Sequence, residues 1–381
     1  MSGAGLDKAI AGRVRTNWRR LNAADRTQGV DLARGLAVLG MLAAHLLVIA
    51  SFDWVEPASW IAVVQGRSSI LFATLAGVSL GLVAGSTTPI RGAGLRSLRL
   101  RLARRALLIW LIGVVVSTLG VPVYVILPAY GILFLLALPA LAATRDQLIV
   151  LAAAIALVMP AVQTWLDAFE WWETDEGRLA SWLLGWNYPF LVWAAFMFAG
   201  LALARCHLNR LRTQVSLLVI GAALMLLGYG LAALVRPAST PADQFWSRLL
   251  TADAHSSGLF EVIGSGGFAI AVIAICLLLS RTGASILLFP LRAVGSMPLT
   301  AYVLQLLAWA LIAGATLDEP GDLAAFRALE PFLPFALGTL VFCTLWALFI
   351  GRGPLERALG LLTTPTDSTR VVSTEGPHCW P

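Results

Sequence analysis

Continuously apolar runs of about twenty residues, separated by short polar segments, set the pattern of this chain. A helix of that length crosses about 30 Å of hydrocarbon. The runs show no two-residue alternation, so they predict membrane helices rather than a β-barrel. Ten spans can be drawn: 30–51, 68–85, 104–121, 123–143, 147–166, 186–204, 214–235, 258–280, 295–316 and 331–350. Gly120-Val121-Pro122 divides the long stretch 104–143 into two of them. The pattern predicts an all-α, polytopic integral membrane bundle of about ten transmembrane helices over residues 28–358. A basic segment, 1–27, precedes it, and a Thr/Ser/Pro-rich tail, 359–381, is expected to be disordered.

Composition narrows the class. The 381 residues are 59% hydrophobic and 13% charged, with a mean hydropathy of +0.81. Soluble domains run at about 45–50% and about 25%. A soluble enzyme, a disordered chain and a disulfide-stapled secreted domain are thereby excluded. The first apolar run is too long for a signal peptide, so no cleavable leader is expected. Cys206, Cys276, Cys343 and Cys379 form no CxxC pair, and neither a disulfide nor a metal site is expected from them.

The net charge of +6 tests the topology. Excess arginine marks cytoplasmic loops. With the N-terminus inside, the inner segments together with Arg34, Arg104 and Arg105 at the inner ends of their spans hold 22 of the 27 Lys and Arg, leaving Arg67, Arg178, Arg236, Arg248 and Arg327 outside. The outer segments, together with Glu261 at the outer start of the eighth span, hold 14 of the 21 acidic residues. Ten spans with both termini cytoplasmic, in the plasma membrane, satisfy this asymmetry. The most basic loop, Ser86 to Arg105, carries Arg91, Arg96, Arg99, Arg101, Arg104 and Arg105. It reads as a topology determinant beside anionic lipid and, compatibly, as a landing site for a polyanionic cytosolic substrate. The acidic outer loop Asp167–Gly177 holds Trp171 and Trp172, which suit interfacial anchoring or sugar stacking.

Several polar residues interrupt the spans. The first contains Asp31, Arg34 and His45. An ionisable group at the bilayer centre costs about 2.5–3.5 kcal/mol on insertion scales and usually marks a functional path. Asp31 and Arg34 are spaced to pair on one helix face, where Asp31 would orient Arg34. Arg34 and His45 are eleven residues apart, which places both on that face about 16 Å apart along the axis. Imidazole is the side chain best matched to proton transfer near neutral pH. A second cluster opens the eighth span: His255, Ser256, Ser257 and Glu261, followed by Gly264-Ser265-Gly266-Gly267. A carboxylate beside a histidine can orient it and raise its pKa, making His255 and Glu261 a candidate dyad. The glycines suit either close helix packing or a narrow ligand tunnel. Arg67 and Ser68 start the second span, Tyr130 lies in the fourth, Tyr188 near the start of the sixth, and Gln305 in the ninth, where it should bond across helices or line a cavity.

No phosphate-binding loop, zinc-protease motif, dinucleotide fingerprint or serine-hydrolase elbow is present in the sequence. What the residues do resemble is a family. GVDLARGLAVLGMLAAH at 29–45 resembles the first helix of transmembrane acyltransferases. These include the acyltransferase-three family, with its arginine–ten residues–histidine signature, and the heparan-α-glucosaminide N-acetyltransferase-like proteins. GRSSILFATLAGVSLGL at 66–82, VILPAYGILFLLALP at 125–139, HSSGLFEVIGSGGFAIAV at 255–272 and PLRAVGSMPLTAYVLQ at 290–305 resemble the YeiB branch, the domain of unknown function 418. The resemblance covers about residues 27–357. It departs from the heparan type in carrying His45 where asparagine is usual, with Glu56 eleven residues beyond.

The resemblance implies transfer of an acyl group, acetyl first, from cytosolic acyl-CoA to a hydroxyl or amine of an outer glycan or lipid. Arg34 then lies near the donor, with Asp31 orienting it and Arg104, Arg105, Arg67 and Ser68 as further donor-side candidates. His45 or His255 serves as base. Tyr130, Gln305 or Ser265 would donate to the developing oxyanion. Direct transfer and an acyl-histidine intermediate both fit. Intramembrane Asp, Arg, His and Glu also suit a transporter or flippase of a lipid or small solute, although no inverted repeat or paired broken helices accompany them. A scaffold without chemistry is the third reading. No metal and no nucleic acid are implied. Gly/Ala-rich faces would allow a homodimer without specifying one.

Overall fold

The computed structural model describes residues 3–23, 26–53, 55–235 and 241–363. Among them no strand occurs. Helix α1 (Gly3–Leu21) precedes the first apolar run, which folds as α2 (Gln28–Leu46). Next come α3 (Arg67–Val83), α4 (Gly92–Ser117), α5 (Leu127–Ala137), α6 (Arg145–Leu166), the short α7 (Asp175–Leu184), α8 (Phe190–Ala204) and α9 (Leu211–Ala232). The remainder comprises α10 (Pro241–Leu249), α11 (Leu259–Leu279), α12 (Ala284–Leu287), α13 (Phe289–Ser296), α14 (Pro298–Thr316), α15 (Leu323–Ala328), α16 (Phe332–Phe349) and α17 (Pro354–Thr363).

Among the described residues, seven helical runs are long and apolar enough to cross a membrane: α2, Pro57–Val83 including α3, α6, α9, α11, α14 and α16. The apolar helices α5 and α8 are shorter, and α4 carries its arginines in its first half. Each of the ten apolar runs therefore holds a helix, and the chain is a helical membrane protein. Two runs are less helical than their hydropathy suggests. In the first, helix stops at Leu46, ahead of an irregular segment and a 3-10 run, Pro57–Val64. In the fourth, Pro128 lies in the first turn of α5 and Pro139 follows its end, which shortens the helix to 11 residues. The tail expected to be disordered is helical as far as Thr363. Its remainder, with Cys379, lies outside the described residues, as does Arg236.

Burial sorts the helices into an inner and an outer set. In its apolar window α2 is 67% buried, against 17% for α9 and α16, whose exposed leucines and valines suit lipid. Small residues bring the inner backbones together. A Cβ on Gly35 would lie 2.0 Å from the Leu291 carbonyl oxygen, and one on Gly295 1.7 Å from that of Asp31. Only glycine lets α2 and α13 meet so closely. The α11 glycines also serve packing rather than a tunnel: a Cβ on Gly267 would lie 2.6 Å from the Gly221 carbonyl oxygen of α9. Buried Arg205, at the end of α8, donates to the Gly81 (3.2 Å), Leu141 (2.6 Å) and Ala143 (3.4 Å) carbonyls. It thereby ties the end of α8 to carbonyls at the ends of α3 and of the 3-10 turn after α5.

Candidate functional site

The site is organised along α2. Near its start Asp31 is 3% exposed and pairs with Arg34 Nη1 at 2.8 Å and with Arg26. The same Arg34 Nη1 donates to the Gly295 carbonyl of α13 at 2.8 Å. The predicted pair therefore forms, and the tight α2–α13 crossing fixes its height in the bundle. Arg26 is an additional partner that the helix spacing did not indicate.

Arg34 opens into a cavity of about 950 Å³. Arg101, Arg105, Arg352, Arg357 and Glu356 line its charged part, and Phe72, Tyr130, Phe134 and Tyr302 its aromatic part. A second cavity of about 480 Å³ shares Arg105, Ser296, Arg352 and Glu356 with it and adds Arg20 and Arg26. Glu356 is already occupied: it accepts from the Leu299 (2.9 Å) and Thr300 (3.2 Å) amides and caps α14. Among the described residues, Arg20, Arg101, Arg105, Arg352 and Arg357 form no ion pair. Burial, followed by neighbouring Arg26, Arg352 and Arg357, pushes the Arg20 guanidinium below its ordinary value. The Nε atoms of Arg20 and Arg34 are buried with no hydrogen-bond partner. So many uncompensated cations around one space suit a polyanionic ligand.

At the other end of α2, His45 and His255 line a single cavity of about 370 Å³ with Gln65, Ser68, Ser69 and Tyr188. Candidates 210 positions apart in the chain are thus brought to one place. No hydrogen bond engages either imidazole among the described residues. His255 stands at φ +65° and Ser257 at φ +57°, a left-handed backbone that ordinary residues rarely adopt. Glu261 holds this loop: its carboxylate accepts from the main-chain N–H groups of His255 and Ser257, both at 2.7 Å, and from Ser256 Oγ at 3.1 Å. The expected dyad is corrected here, because Glu261 grips the backbone of His255 and not its ring. Burial then pushes the His255 imidazole down from its ordinary value, opposite to the rise a carboxylate partner would cause.

A hydrogen bond joins the linings of the basic and histidine cavities. Tyr130 lines the first, and its hydroxyl donates to the Ser69 carbonyl at 3.4 Å; Ser69 lines the second. On the far side, Tyr188 is shared with a third cavity of about 450 Å³, lined also by Tyr124, Ser181, Trp182 and Asn187 and by no charged residue. Tyr188 donates to the Tyr124 carbonyl at 3.1 Å, and its ring meets that of His255 edge-on at 6.1 Å.

Other candidates fall elsewhere. Arg67 Nε donates to the Tyr229 hydroxyl (2.7 Å), which also bonds Ser265 Oγ (2.8 Å), so Arg67 and Ser265 join α3, α9 and α11 rather than lining either cavity. Gln305 donates to Thr339 Oγ1 at 3.1 Å and ties α14 to α16. Ser68 belongs to the histidine cavity, not to the donor side. Arg104 is exposed and absent from the basic lining, whereas its neighbour Arg105 is present. Sequence reasoning missed Arg20, Arg26, Arg352 and Glu356 at the basic mouth, and it singled out Tyr188 without its place between two cavities. The arginines were visible only as inner positive charge, and nothing local marked their convergence.

The helices and these cavities define a membrane-embedded protein with an anion-suited chamber on one half of a helix and a histidine chamber on the other. The family model for the heparan-alpha-glucosaminide N-acetyltransferase catalytic region matches residues 26–247, more than half of the chain. A second model, the protein of unknown function family DUF418, matches residues 203–365. The chain belongs to this heparan-alpha-glucosaminide N-acetyltransferase-like family of transmembrane acetyltransferase-like proteins. No curated protein matches it.

Proposed function

We propose that the protein is a plasma-membrane acyltransferase. It moves an acyl group, acetyl first, from cytosolic acyl-CoA to a hydroxyl or amine of a glycan or lipid presented outside. One observation carries this reading: α2 presents Arg34 to an arginine-lined cavity and His45, eleven residues on, to a cavity shared with His255. CoA is a polyanion that cannot cross lipid, so only its acyl arm needs to reach the far half of the bundle. Its phosphates bind Arg20, Arg26, Arg105 and Arg352, and Arg34 holds the arm where it leaves them. The thioester passes Tyr130 toward the histidines. The acceptor arrives through the uncharged cavity behind Tyr188.

An imidazole of the pair takes the acceptor's proton as its oxygen or nitrogen attacks the thioester carbonyl. Tyr130 turns its single hydroxyl proton from the Ser69 carbonyl, a long bond at 3.4 Å, to the oxyanion. The C–S bond then breaks, the imidazolium returns its proton to the thiolate, and CoA-SH leaves on the basic side. Direct transfer is the simpler course, because it needs one attack on the thioester and no covalent intermediate.

Release of CoA-SH by purified protein in nanodiscs, with acetyl-CoA and longer donors, tests this reading. Donor binding is measured in parallel. Arg34→Ala is expected to weaken donor binding about tenfold, as loss of a charge-assisted contact should. His45→Ala or His255→Ala is expected to lower turnover about a hundredfold or more at unchanged donor affinity. Absence of donor binding to folded wild-type protein overturns the acyltransferase and leaves transport of a lipid or small solute as the leading function.

A further inference from the structure

Arg327 is one of the few cations on the acidic side of the charge pattern, and its place explains the exception. Helix α2 ends within one residue of His45, so the carbonyls of its last turn lack helical partners. Inside a membrane protein such groups must be satisfied by the protein itself. Arg327 Nε donates to the His45 carbonyl at 2.9 Å, and Nη2 reaches the Ala44 carbonyl at 3.5 Å. The guanidinium thus sits at the negative end of α2 and holds the peptide that carries the histidine.

The arginine is itself held. Asp322 caps α15, accepting from the Ala324 (2.8 Å) and Ala325 (3.0 Å) amides. Phe326, next to Arg327, is fully buried and stacks on Trp309 with centroids 4.9 Å apart and planes 14° from parallel. Leu42 and Leu46 of α2 belong to the same small apolar cluster. Among the described residues Arg327 forms no ion pair. Its hydrogen bonds go to the end of α2.

We infer that Arg327 is a positioning residue for His45, fixing through the main chain where an otherwise unanchored imidazole points into the histidine cavity. The importance of His45 rests on the function proposed above; the contact itself does not. Arginine suits the task because its fork spans two adjacent carbonyls, whereas lysine supplies one compact donor.

The test compares full-length wild type, Arg327→Gln and Arg327→Lys in nanodiscs by three measurements: CoA-SH release, acetyl-CoA affinity, and the rate at which diethyl pyrocarbonate modifies each histidine, read by mass spectrometry. Arg327→Gln is expected to lower turnover about tenfold to a hundredfold, the scale of a misplaced catalytic group. Donor affinity should stay within about twofold, because the donor binds at the other end of α2. His45 modification should change about threefold or more while His255 modification does not, and Arg327→Lys should recover part of both effects. The inference is overturned if His45 reactivity in both variants matches wild type. It is equally overturned if His255 reactivity and donor affinity move together with it, which marks general loss of structure. Should wild type release no CoA, the acyltransferase proposal fails, and the histidine modification rates still decide the role of Arg327.

Discussion

At the residue scale, the site depends on groups that hold backbone rather than ring. Glu261 fixes the left-handed His255 loop through two amides, and Arg327 fixes the end of α2 through two carbonyls. This leaves a pH signature. Burial holds the His255 imidazole below its ordinary value, while the unfolded chain titrates near ~6.5. Between those values the unfolded state binds more protons, so stability rises with pH and is lost as pH falls below about 6.5. Thermal unfolding in detergent between pH 5 and 8 should show that decline, and His255→Asn should make it shallower. An unchanged slope in the variant would remove His255 as its source. The Asp31–Arg34 pair was readable because both partners lie on one helix, where spacing fixes geometry. Glu261 beside His255 was readable as a neighbourhood but not as a contact, because the left-handed turn that aims its carboxylate at amides is invisible to periodicity.

At the element scale, the α2–α13 crossing sets the position of Arg34. Gly295→Ala would put a methyl 1.7 Å from the Asp31 carbonyl oxygen and drive the helices apart. A loss of about 1–3 kcal/mol is expected, the usual cost of overpacking, together with weaker donor binding, since Arg34 bonds the Gly295 carbonyl. Gly314→Ala, whose Cβ would meet nothing within 4 Å, serves as the control. Equal unfolding temperatures for the two variants would contradict the crossing's role. Helix positions were legible throughout, because apolar runs of membrane length admit few alternatives. Helix ends were less so. Pro128 and Pro139 trim the fourth run, and the break after Leu46 leaves apolar Val48 and Val55 exposed, contrary to their hydropathy.

At the scale of the whole molecule, positive charge gathers from distant segments into one mouth. Its arginines come from α1, the segment after it, α4 and the approach to α17. Charge bias along the chain disclosed which side is basic, but only folding discloses that the cations converge. Their attraction for a polyanion is screened by salt, with a Debye length of about 10 Å at 0.1 M. Acetyl-CoA affinity should fall about tenfold between 50 mM and 500 mM salt, the measure of a binding site built largely from charge. Salt-independent binding in nanodiscs would rule out the arginine mouth as the donor site.

The smaller basic cavity sets Arg20 and Arg26 against Arg352 and Glu356. During synthesis the first pair exists long before the second, and every intervening helix must be inserted before they meet. The histidine chamber takes its lining and its Arg327 anchor from residues no later than α15, and α16 packs behind that anchor. Growth of the chain therefore supplies the last residue of the histidine lining before the last residues of the basic mouth. A molecule that ends with α16 would possess His45 and His255 and lack Arg352 and Arg357 at the mouth, which ties the full set of cations to completion of the bundle.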